Sequence, residues 1–124
     1  MPDLLAVHDH LRRILDPYRA DLSVTADGPA GMTLEIPGLE GKPWGYVAGT
    51  RVGKTYVSFY LMPVYMSPDL ATSISPELRR RKQGKSCFNF ATVDLALFAQ
   101  LADLTARGIP PYRAQAEVLA ATRR

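Results

Sequence analysis

Cysteine occurs once in this chain, tryptophan once and histidine twice. A lone thiol, Cys87, closes no internal disulfide and rules out any zinc site built from several cysteines. No run of 18 apolar residues is present, which excludes a membrane-spanning helix of ordinary length. The opening residues, Met1-Pro-Asp-Leu-Leu-Ala-Val-His8, have neither the basic start nor the apolar stretch of a secretory leader, so the expected location is the cytoplasm. Charge of one sign is scarce too. Fifteen Lys and Arg against twelve Asp and Glu leave a net charge of +3, which favours solubility and names no partner. There is no internal repeat and no linker long enough to divide the 124 residues, so a single domain with its own core is expected.

The stretch Thr55 to Met62 is rich in β-branched and aromatic residues and reads as a central strand. By alternation, Thr55, Val57, Phe59 and Leu61 face the core, and Tyr56, Ser58, Tyr60 and Met62 face the other way. Pro63 ends the strand. Lys85 to Phe90 reads as its partner, with Phe88 and Phe90 inward and Lys85, Cys87 and Asn89 on the opposite face. A tyrosine-bearing face of this kind either lines a site or is the wetter side of an antiparallel sheet.

Around this centre, Asp3 to Leu15 forms an amphipathic helix, capped by Asp3 and stopped at Pro17. Asp21–Ala26 and Met32–Ile36 make a hairpin, with Leu22, Val24 and Ala26 inward. A Gly/Pro-rich loop, 37–43, carries Glu40 and Lys42 to Trp44 and a third strand, Tyr46–Arg51. Ser67-Pro68-Asp69 and Ser75-Pro76-Glu77 each open a short helix, with serine as the cap and proline at the first position. The second should run through Arg79-Arg80-Arg81-Lys82 to stop at Gly84. Thr92 should cap a helix ending at Gly108, and Pro110-Pro111 should open a last one. The sum is an α+β domain: an antiparallel sheet of about five strands with N-terminal and C-terminal helices.

Several motifs invite a chemistry. Ala48-Gly-Thr-Arg-Val-Gly-Lys-Thr55 fits the loosest phosphate-loop pattern, yet a strand follows it where a phosphate loop needs a helix. Gly53-Lys54 is better read as a hairpin turn, and Gly84-Lys85-Ser86 meets the same objection. His8-Asp9-His10 has helical spacing of two, whereas ligand pairs on a helix sit three or four apart. Cys87 is a candidate reactive thiol beside Lys85, with an inert sheet cysteine as the commoner alternative. The basic run 79–82 with Lys85, near Phe88, Phe90, Tyr56 and Tyr60, suggests nucleic-acid contact. The modest net charge and the helix-end alternative argue against it.

The loop Gly41-Lys42-Pro43, the hairpin into Tyr56-Val-Ser-Phe-Tyr-Leu61 and the segment Gly84-Lys-Ser-Cys-Phe-Asn-Phe90 resemble the small bacterial YdhG-like domain family, over most of Lys42 to Leu104. The family is a domain of unknown function, some of whose members are described as frataxin-like iron chaperones. The resemblance implies a compact α+β fold. Iron handling would need an acidic ridge. The first helix instead interleaves Asp3, Asp9 and Asp16 with Arg12 and Arg13.

The function expected from the residues is a non-enzymatic module that binds a small molecule or a protein partner through the tyrosine-bearing face. Its expected contacts are Tyr56, Ser58, Tyr60, Tyr65 and Lys85, with Trp44 and Tyr46 as walls. No cofactor, resident metal or membrane contact is expected. The rival readings are iron binding, nucleic-acid binding through 79–85, and thiol chemistry at Cys87. The chain is expected to be a monomer or a homodimer, the latter through an apolar stripe near Leu119.

Overall fold

The computed structural model of the chain describes residues 3–122. Five helices and a 3-10 turn accompany the strands: α1 (Leu4–Leu15), the turn Asp16–Tyr18, α2 (Met62–Met66), α3 (Pro68–Thr72), α4 (Pro76–Arg79) and α5 (Leu95–Thr122). The strands are β1 (Ser23–Gly28), β2 (Gly31–Glu35), β3 (Tyr46–Val52), β4 (Val57–Leu61), β5 (Lys82–Gln83) and β6 (Cys87–Phe90). They form one antiparallel six-stranded sheet in the order β1-β2-β3-β4-β6-β5. β1 to β4 are successive neighbours. The chain then crosses α2, α3 and α4 and returns as the β5–β6 hairpin, with β6 placed against β4.

The β4–β6 register puts Phe59 opposite Phe88 and Val57 opposite Phe90. These side chains are essentially solvent-free and meet Val7, Leu11 and Leu15 of α1 and Leu97, Leu101 and Leu104 of α5 in one core. Phe90 and Phe98 touch edge-to-face, ring centroids 4.9 Å apart. Each such aromatic or aliphatic burial is worth roughly 1.5–3 kcal/mol. α1 starts as read, with the Asp3 carboxylate accepting from the Ala6 amide. Ser67 and Ser75 likewise accept from Leu70 and Leu78.

Several elements differ from their sequence reading. β4 is shorter: Thr55 is exposed in the turn, closed by the Gly53 N–H on the Tyr56 carbonyl, and Met62 begins α2. In β1 only the preceding Leu22 is buried. Val24, opposite Leu34, is left exposed at the edge of the sheet, and a register shift after it sets Ala26 opposite Thr33 on the other face. The α4 helix stops at Arg79, and Lys82–Gln83 pair with β6 instead. Gly84, at φ +76°, is therefore the turn of a hairpin rather than a helix end.

The largest departure is α5. Its cap is Asp94, whose carboxylate accepts from the Leu97 amide, and Thr92 lies outside the helix. The helix then runs 28 residues through Gly108, Pro110 and Pro111. Gly108 is a contact point. A Cβ there would lie 2.7 Å from Pro63 and 2.8 Å from Leu70, so glycine lets α5 pass close to α2 and α3. The two prolines remove helical donors to the Ala106 and Arg107 carbonyls, which belong to exposed residues that water can solvate. Beyond them Ile109, Tyr112 and Ala116 are buried, and this tertiary anchoring carries the helix on.

Candidate binding sites

With the helices gathered on the phenylalanine face, the other face of the sheet is left without a helical cover. Alternation and pairing place Ser58 and Tyr60 of β4 on it beside Asn89 and Cys87 of β6. Tyr46 joins them through a bulge. Leu34 pairs with Ala48 but Glu35 with Tyr46, so Val47 is the extra residue, turned into the core, and Tyr46 swings to the open side. Its ring lies along the strand over Gly49, where a Cβ would come within 2.5 Å of the tyrosine hydroxyl. Burial raises the Tyr46 pKa well above the usual phenol value, helped by neighbouring Tyr60, Cys87 and Glu35. Tyr46 is therefore a neutral hydroxyl throughout the physiological range.

A hydrogen-bond network joins the next residues across the strands. The Asn89 carbonyl oxygen accepts from the Ser58 hydroxyl at 2.7 Å and from the Cys87 thiol at 3.3 Å. The Asn89 amide donates to Gln83 Oε1 at 2.6 Å. Asn89 is thus held by three neighbours on three strands. At the far end, the 37–45 loop is pinned to the sheet by the Ser23 hydroxyl on Glu40 and the Gly41 amide on Glu35. Glu35 of β2 and Arg51 of β3 carry charge on this face, and Arg51 lies directly opposite Ser58.

The residues expected to form one site divide between two. Tyr46, Ser58 and Tyr60 share the open face, and Tyr56, 40% exposed, flanks it where the hairpin enters β4. Trp44 and Tyr65 instead line a groove at the other side of β3, between the 43–44 loop, α2 and the last turns of α5. Lys85 precedes β6 and does not share the strand face. Its ammonium lies over the Tyr65 ring, 5.2 Å from the centroid. Met62, expected on the tyrosine face, also lines the groove. Tyr112 ties the two regions together: its hydroxyl donates to the Tyr46 carbonyl at 2.8 Å and also reaches the Trp44 carbonyl at 3.3 Å. Asn89 was legible from alternation as a neighbour of Cys87. Gln83 was not, because its segment read as helix.

The rival chemistries find little support in the geometry. Cys87 has no histidine on its side of the sheet. His8 is buried on the helical side, 2.8 Å from the Thr50 hydroxyl, and the His10 ring lies tilted against Phe98, centroids 6.1 Å apart. Asp9 pairs with Arg12 and Arg13, and Asp16 and Asp27 pair with Arg19. Among the described residues no three His, Cys, Asp or Glu side chains converge as metal ligands. Phe88 and Phe90 are buried and present no ring to a base, which corrects the expectation that they could stack beside the basic run. Arg79 donates to the Ile74 carbonyl and Lys82 to that of Gly84, while Arg80 and Arg81 share a cleft with Glu77 and Asp94. No helix among the described residues is long and apolar enough to cross a membrane. In comparisons with known proteins, no family model, no curated protein and no solved structure matches this chain.

Proposed function

We propose that the chain is a non-enzymatic recognition module that docks a protein partner on the open face of its sheet. The observation that carries this reading is the tyrosine-bearing patch across β3, β4 and β6, with Arg51 beside Ser58 as its charged group. There Tyr46 and Tyr60 lie beside the Ser58–Asn89–Cys87 network with no helix over them. Tyrosine offers a large, stiff contact area with a hydrogen-bonding tip, and buried Ser58 braces the patch from beneath through Asn89. The patch is broad and backed by a rigid sheet, which suits another protein surface better than a small molecule needing enclosure. The resemblance to YdhG-like domains is compatible with this reading and adds no activity to it.

Native mass spectrometry of the protein isolated gently from its own cells tests it. A retained partner mass is expected for the unaltered chain, lost in Tyr60→Arg and kept in the remote α5 variant Arg113→Ala. A bare chain, or a bound mass indifferent to Tyr60→Arg, would overturn the reading. A bound mass of small-molecule size lost in Tyr60→Arg would keep the face and replace the partner class.

A further inference from the structure

The groove beside the sheet takes no part in that reading. It encloses about 230 Å³ between Trp44, Met62, Tyr65, Met66, Tyr112 and Leu119. The walls are aromatic rings, two thioethers and a leucine. Their outer edges stay in water: Tyr65 is 49% exposed, Met66 42% and Leu119 37%. Apolar walls that remain wet in the free protein gain from being covered. The two methionines are unbranched and adapt to an occupant's shape. Gln115 also lines the groove, whose surface is almost wholly apolar. A positive charge stands at its border, since the Lys85 ammonium lies over the ring of Tyr65, itself a wall.

Size and charge narrow the occupant. At about 230 Å³ the groove is smaller than a drug-sized pocket of roughly 300–1,000 Å³ and takes a short chain or a single ring. The bordering charge is cationic, and the lining residues include no carboxylate. We infer that this groove is a binding site for a small apolar anion, a carboxylate with a short alkyl tail or a single ring. The tail lies against Trp44, Met62 and Met66. The carboxylate stays at the rim and turns toward Lys85. The site is independent of the open sheet face, so either assignment stands if the other falls.

Trp44, the chain's one tryptophan, reports on the groove directly. Titrations of octanoate, octanol and octylamine into the full chain, followed by tryptophan emission, test the inference. Octanoate should produce a saturable change, octanol a weaker one and octylamine the weakest. Affinity should rise about fourfold per methylene from butanoate to octanoate, the burial value of one CH₂. Lys85→Met should bring octanoate close to octanol. Met66→Glu, at an exposed wall position, should abolish octanoate binding with the melting temperature unchanged, and Tyr60→Arg should leave it intact. No saturable change with any of the three ligands would overturn the inference, as would equal affinity for octanoate and octylamine. So would emission that follows protein concentration alone together with a dimer in sedimentation, which would assign the groove to a second copy.

Discussion

His8 shows how one residue's role is set by what lies across from it. Its ring sits on the helical side of β3, bonded to Thr50, and burial lowers its pKa below the ordinary 6.5, with Arg12 acting in the same direction and Asp9 and Asp27 opposing. The folded protein therefore resists protonation that the unfolded chain accepts. Above pH 6.5 both states are neutral there and His8 adds no pH dependence. As pH falls through 6.5 toward the folded pKa, stability declines, and below the folded pKa the loss levels off. Thermal midpoints measured from pH 8 to 5 should show this decline, and His8→Asn should flatten it. An unchanged slope in the variant would assign the effect elsewhere. Thr50, the partner of His8, is 42 residues away, and only the docked helix brings them together.

Among the elements, α5 separates what is local from what is not. Its start is a contest between Thr92 and Asp94, both sound caps by residue type. Asp94 holds the position, because its carboxylate reaches the Leu97 amide and its carbonyl the Phe98 amide. Asp94→Ala should cost about 1 kcal/mol in denaturant unfolding, whereas Thr92→Ala should stay within about 0.5 kcal/mol. Equal losses would mean the helix starts earlier than the geometry indicates. Its far half was misread because Gly108 and the proline pair are sound local stop signals. Buried Ile109, Tyr112 and Ala116 outweigh them. β5 was hidden for the opposite reason: four consecutive basic residues after a capped start suit a helix end, and only pairing with β6 recruits Lys82 and Gln83 into the sheet.

At the scale of the whole molecule, the sheet has one face for stability and one for contact. Phe59 sits in the central strand between Thr50 and Phe88 and is wholly buried. Phe59→Ala should cost about 3–5 kcal/mol, the usual range for a buried phenylalanine. Tyr60, its neighbour in sequence, faces the open side, and Tyr60→Arg should change stability by no more than about 1 kcal/mol. Chemical denaturation of both variants checks the division. A loss at Tyr60 comparable to that at Phe59 would mean that this face is structural.

Period-two alternation in β4 and β6, the helical stripe of α1 and the serine caps of α3 and α4 follow from residues close in the chain, and the sequence alone determined them. The pairing of β4 with β6 was an expectation that the fold decided, since spacing along a strand does not place strands beside each other. Tertiary structure decided the rest. The bulge at Val47 turned Tyr46 outward, the docking of α2 against α5 carried Trp44 and Tyr65 away from Tyr60, and Lys85 went to Tyr65 instead of the strand face. Local periodicity tells a side chain which way to point relative to its neighbours. Which surface it then meets depends on contacts between distant segments, and those are settled only when the core closes.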